Sequence, residues 1–217
     1  MRKLLVLFAA TVSGCAFTDV PLELPTTGIE SGLSGGKGRQ IVVASSFADQ
    51  RSIRDRCGMQ KNGYNMDTAD AVCSSDPAAW LAQVLAAELR NAGFSVQTDP
   101  SAAKPSALHL DGTLLKIFVE PVIGTWTGTM ETDLQVSLIA TSQTGLQAER
   151  EFFSKAMVTV MVSKASNYAL SLDDATQKLV KDMVFAVLEL MDRYPQLGRR
   201  PNVLLRVSHH PRGAPQA

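Results

Sequence analysis

The chain has 217 residues, 45% of them hydrophobic, and its 21 Lys plus Arg are balanced by 21 Asp plus Glu. That length supports one domain with a real core plus connecting segments. A formal net charge of zero leaves no global field to attract nucleic acid or steer an acidic substrate, so neither partner class is expected.

The first 14 residues read as an export signal. Arg2 and Lys3 give a positive start, and Leu4, Leu5, Val6, Leu7, Phe8, Ala9 and Ala10 give an apolar run. The run is well short of the ~20 residues a spanning helix needs. Val12-Ser13-Gly14-Cys15 follows. These residues resemble the cleavage box of bacterial lipoprotein signal peptides. The resemblance implies cleavage before Cys15, a diacylglyceryl group on its thiol and acylation of the new amino terminus. More than one acyl chain is what makes anchoring stable. Ala16 stands where an Asp would favour inner-membrane retention, so the expected location is the outer membrane, facing the periplasm.

Residues 15–39 contain Pro21, Pro25, Gly28, Gly32, Gly35, Gly36 and Gly38, which interrupt any period. They are expected to form a flexible tether. A single α/β (α+β) domain is expected over 40–194, and 195–217 form a basic extension with Arg199, Arg200, Arg206 and Arg212, read as solvated.

The domain opens with the run Ile41, Val42, Val43 and Ala44, read as a central strand over 41–47. A charge cluster follows at Asp49, Arg51, Arg54, Asp55 and Arg56. Residues 57–75 form a loop rich in Gly, Asn and Asp. Cys15 aside, Cys57 and Cys73 are an even pair in an oxidising compartment, which favours a disulfide. A zinc site using both thiols and His109 matches no template spacing, so no metal is expected.

Asp76-Pro77 marks a helix start, and Trp80, Leu81, Val84, Leu85 and Leu89 recur at helical spacing up to Gly93. Trp80 is read as a core anchor. Strands are expected at 94–96, at 107–119 (stopped by Glu120-Pro121), at 130–140 and at 149–162. In the third of these, Leu134, Val136, Leu138 and Ala140 alternate with polar residues, which implies a sheet with one wet face. Turns join the last three strands, so they should form a long antiparallel meander. A final helix is expected from Ser171-Leu172-Asp173-Asp174, with Leu172, Ala175, Leu179, Met183, Ala186, Val187 and Leu190 on its buried face. The fold is thus a mixed sheet with a three-strand meander and two helices packed on one face.

No nucleophile elbow, zinc-protease or phosphate-loop motif is present. No catalytic residue or cofactor is therefore assigned, and the chain is not expected to be an enzyme. Asp49 and Asp111 are candidates for a carboxylate pair across adjacent strands. Contacts to a partner are expected from loops at 51–64 and 121–129, with Arg51, Arg54, Tyr64 and Trp126 as the candidate residues.

Trp80, Leu89, Gly93-Phe94-Ser95-Val96 and the strand ending near Asp111-Gly112 resemble the YajG-like small envelope lipoproteins. More loosely they are similar to the outer-membrane activator of penicillin-binding protein and to the N-terminal part of the curli secretion lipoprotein. The resemblance spans 40–192. It implies an α/β sandwich on a lipid tether that works by binding, and it carries over no catalytic residue; the expected partner is an envelope protein or cell-wall polymer. The loop at 57–73 and the basic tail depart from the family pattern. The alternative reading is a periplasmic lipid or small-molecule carrier, with the strands that are apolar at both parities and the last helix as pocket walls.

Overall fold

The computed structural model describes residues 18–26, 29–124, 127–160 and 165–198. Strands β1 (Val20–Leu22), β2 (Gln40–Val43), β3 (Ala48–Asp49), β4 (Gly58–Lys61) and β5 (Asp67–Cys73) precede helix α1 (Pro77–Asn91). Strands β6 (Ser95–Gln97), β7 (Leu108–Ile123), β8 (Gly128–Ser142) and β9 (Gln147–Val160) then lead to helix α2 (Ala165–Arg193). The mixed sheet, the meander and the two helices are as the sequence predicts.

The spine of the sheet is β7. Along one side it pairs antiparallel with β8, from Leu108↔Ser142 to Ile123↔Gly128. Along the other side it meets, in turn, β2 at Leu108–Leu110, β3 at Thr113–Leu114 and β4 at Val119, all parallel. The central strand of the opening run is shorter than 41–47, because the chain leaves the ladder between β2 and β3. β4 carries β5 and then β1, β2 carries β6, and β8 carries β9. Gly58 permits the close approach of β4 to β7: a Cβ there would lie 2.1 Å from the Val119 carbonyl oxygen.

β7 runs past the expected stop at Pro121, which pairs with Met130. The β4 ladder on the other side ends at Val119, so no N–H is required of Pro121 there. A register shift between Leu114 and Lys116 inserts Leu115 as a bulge. Buried positions switch from Leu108, Leu110 and Leu114 to Ile117 and Val119 across it. The bulge explains why apolar residues occur at both parities of this strand.

The helices cover the face that presents Leu110, Leu134, Val136 and Phe152. Asp76 caps α1 by accepting from the Ala78 and Ala79 amides, and Trp80 is buried as expected. α2 begins six residues before its expected start (165 against 171). Ser171 and Asp173 imitate a helix start, yet Ser171 is buried inside the helix, where its hydroxyl donates to the Met130 carbonyl and accepts from Thr132 Oγ1. Tyr168, one turn earlier, donates to the Met59 carbonyl.

Residues 18–26 and 29–39 do not form the expected tether. β1 pairs parallel with β5, and Leu22, Leu24 and Ile29 are in the core. Trp80 Nε1 donates to the Pro25 carbonyl at 2.7 Å, and the buried Glu88 carboxylate accepts from the Ser31 amide at 2.6 Å. The Gly35 and Gly36 amides then cap α1 by donating to the Ala92 carbonyl. A Cβ at Gly36 would lie 2.4 Å from the Gly93 backbone, so this crossing requires glycine. At the other end, Leu197 is buried and the Gln40 amide donates to the Gly198 carbonyl, so the domain continues to Gly198. The tail's remaining arginines and the export signal with Cys15 lie outside the described residues.

A free sheet edge and its wet face

The helices leave one face of the meander open, and alternation along β8 and β9 decides what lies there. From β8 come Glu131, Asp133, Gln135, Ser137 and Ile139; from β9 come Glu149, Glu151, Phe153, Lys155 and Met157. Cross-strand register sets the pairs. Lys155 Nζ meets Glu131 Oε2 at 2.7 Å, Lys116 Nζ meets Asp133 Oδ2 at 2.7 Å, Ser137 donates to Glu149 at 2.8 Å and Gln135 donates to Glu151. The hydrogen bond to Glu131 raises the pKa of Lys155. Phe153 and Met157 stand among these polar pairs with no cover, at 58% and 63% exposure.

Among the described residues β9 pairs with β8 alone. Every second N–H and C=O of this 14-residue strand therefore points away from the sheet. Single exposed apolar residues need no explanation. A long free edge with two of them in one row does, because such an edge pairs with further strands unless it is blunted.

The predicted contact residues do not converge. Arg51 is a correction: its side chain is 4% exposed and is an internal clamp. It donates to both Asp49 carboxylate oxygens, to the Arg54 and Arg56 carbonyls and, at 3.4 Å, to Cys57 Sγ. Its hydrogen bond to Asp49 is the main cause holding that carboxyl below its ordinary pKa. Asp49 also lies beside Leu114, not Asp111, so the carboxylate pair does not form. Arg54 is exposed on the same loop. Tyr64, 86% exposed, is at the tip of the β4–β5 hairpin, and Trp126 lies outside the described residues.

Residues 57–73 are that hairpin, not a loop. The Cys57–Cys73 disulfide closes its open end, with 5.5 Å between the Cα atoms, and so occupies both sulfurs of the alternative zinc site. Among the described residues no three His, Cys, Asp or Glu side chains form a metal-binding group. Also among them, no helix is long and apolar enough to cross a membrane.

A concavity lies between the meander and α2. Leu110, Leu138, Phe152 and Val187 line it, and Arg150, Glu189 and Arg193 rim it; its volume is ≈ 240 Å³. Glu189 pairs with Arg193 at 3.1 Å and approaches Arg150 at 3.7 Å, and the Arg150 guanidinium lies over the Phe152 ring. Periodicity marks these walls as core, and the carrier alternative is the reading that puts a pocket between the long strands and the last helix.

A Xanthomonas campestris protein of the DUF330 family is similar in fold, with a TM-score of 0.55 at 11% identity over 82% of this chain and 99% of that one. A minor lipoprotein from Acinetobacter baumannii matches more loosely, with a TM-score of 0.34 at 10% identity over 69% and 98% of the two chains. So does PelC of Paraburkholderia phytofirmans, solved as a dodecamer, with a TM-score of 0.38 at 13% identity over 70% and 89%. No curated protein matches the chain in sequence. The family model Lipoprotein_16, described as uncharacterized lipoprotein, matches residues 36–185, and the chain belongs to this YajG-like lipoprotein family.

Proposed function

We propose that this protein is a lipid-anchored accessory factor of the outer membrane, facing the periplasm, that binds an extended segment of an envelope protein along the β9 edge. Membership of a lipoprotein family supports the anchor, and Cys15 is the residue that would carry it. The observation behind the binding role is the β9 edge, free among the described residues, with Phe153 and Met157 exposed beside it. An added strand would take main-chain hydrogen bonds from the edge, and alternate side chains would meet Phe153 and Met157. A polypeptide matches that row of amides better than a cell-wall polymer does.

The carrier reading is less well supported. Its cleft of ≈ 240 Å³ is below the roughly 300–1,000 Å³ of ordinary ligand pockets.

Co-purification from crosslinked cells tests the binding role. The native protein should recover a specific envelope protein, and the double variant Phe153→Lys/Met157→Lys should lose it while melting at the same temperature. Equal recovery by the double variant would contradict the assignment.

A further inference from the structure

The N-terminal segment is fixed to the domain almost up to the proposed lipid. Gln60 Nε2 donates to the Thr18 carbonyl at 3.1 Å, and the Asp70 amide donates to Asp19 Oδ1 at 3.1 Å. From Val20 onward β1 is paired with β5. Only Ala16 and Phe17 separate Thr18 from Cys15. Three Cα steps reach at most about 11 Å.

Extended toward the tip of the β4–β5 hairpin, a span of that length is long enough to draw level with it. β1 and β5 run parallel, Val20 lying beside Ala71, so the chain approaches β1 from the tip side. Gln60, which holds Thr18, pairs with Ala69. Met66 precedes Ala69 by three residues. The tip therefore projects beyond Thr18 by roughly 10 Å at ~3.3 Å per residue, the same distance that Cys15 can reach.

The chemistry of the tip suits a bilayer interface. Residues 62–66 are Asn-Gly-Tyr-Asn-Met, without a charge. Tyr64 is 86% exposed and Met66 56%. The turn is well fixed: the Asn62 amide donates to the Met66 carbonyl, and Asn62 Oδ1 accepts from the Tyr64 and Met66 amides. The disulfide closes the hairpin base, and Tyr168 Oη ties β4 to α2. Val122, 39% exposed, is at the same end of β7. Tyrosine favours the headgroup level, where its ring is in apolar surroundings and its hydroxyl stays wet.

We infer that the hairpin tip is a membrane contact, in which Tyr64 and Met66 enter the lipid interface beside the acylated Cys15. This rests on the lipid-anchor reading above. The anchor is then a short strut, not a leash. β7, β8 and β9 have their Ile123, Gly128 and Val160 ends at the membrane side, as the register places them level with the hairpin. The β9 edge rises from the bilayer for roughly 45 Å.

Brominated-lipid quenching of the full acylated protein in phosphatidylethanolamine–phosphatidylglycerol vesicles tests the contact. A Tyr64→Trp/Trp126→Phe protein should lose most of the emission of its introduced indole when acyl-chain-brominated lipid is added. The Trp126→Phe parent should lose little, because its remaining Trp80 is buried under Pro25. Inserting about twelve Gly/Ser residues after Ala16, a coil with a longer reach, should leave the protein in the membrane fraction and abolish the quenching. Membrane-bound protein with an unquenched indole would overturn the contact and leave the anchor standing. Quenching that survives the insertion would overturn the short strut as its cause. Membrane association unchanged by Cys15→Ser would overturn the anchor and with it the short strut, and association absent from the native protein would overturn the anchor and the contact together.

Discussion

The Arg51 guanidinium grips both oxygens of Asp49, at 2.9–3.2 Å, and reaches the sulfur of Cys57 at 3.4 Å. One buried cation thus joins the end of β3, the loop that leaves it and the disulfide that closes the next hairpin. Its charge is neutralised by Asp49, and its remaining donors are taken by the Arg54 and Arg56 carbonyls. Arg51→Met should cost about 3 kcal/mol, because it strands these acceptors in a partly buried loop. Arg54→Ala, three residues on and exposed, should change stability by no more than about 0.5 kcal/mol. Urea unfolding of the two variants checks the contrast, and equal effects would refute the clamp.

The same pair sets an acid limit. Asp49 has a lowered pKa in the folded protein, chiefly through its hydrogen bond from Arg51, against an ordinary value of 3.8. A carboxyl lowered on folding contributes stability that is complete above its unfolded pKa and is lost as pH falls through the folded one. The stability gap between native protein and Asp49→Asn should therefore be constant from pH 7 to about pH 5 and shrink below about pH 4. Denaturation midpoints across that range measure it; a gap that widens in acid would contradict the assignment.

The disulfide closes a short segment, with a sequence separation of 16. On the chain-entropy model a loop of this size is worth about 3 kcal/mol. Cys57→Ser/Cys73→Ser should lower unfolding stability by about that amount and increase proteolysis of residues 62–66 first. Thiol titration of unreduced, exported protein should find neither cysteine free.

Much of this architecture was legible because one face of each element is buried. The alternation in β8 and the spacing in α1 follow directly from that asymmetry. The N-terminal segment was misread for a physical reason. Its prolines and glycines suppress any period, yet Leu22, Leu24 and Ile29 bury themselves singly, and backbone groups of Gly35 and Gly36 cap α1. Composition reports the lack of helix or long strand, not the lack of contacts. Arg51 was misread because its type suits surface recognition, and its partners Asp49 and Cys57 are recognisable only once the loop has folded. Phe153 and Met157 alternate with buried residues of β9, but nothing in the sequence shows that β9, among the described residues, is the last strand of its sheet.

Trypsin provides a direct check on the packed N-terminal segment. Lys37 is followed by Gly38, whose amide donates to the Gly93 carbonyl, and Arg39 is buried, bonded to Gly36 and Asp192. Cleavage after Lys37 and Arg39 should be slow in native protein, tracking global unfolding. Trp80→Phe, which removes the hydrogen bond to Pro25, should accelerate it. Rapid cleavage of the native chain at both sites would restore the tether.

The binding role is tested most directly by site-specific photocrosslinking in living cells. A photoreactive residue is placed at Phe153 or Met157 on the wet face beside the β9 edge, or at Phe185, equally exposed on α2 at 57%. The account predicts the same discrete protein adduct from positions 153 and 157 and none from 185. An adduct from 185 alone, or the same adduct from all positions, would contradict it.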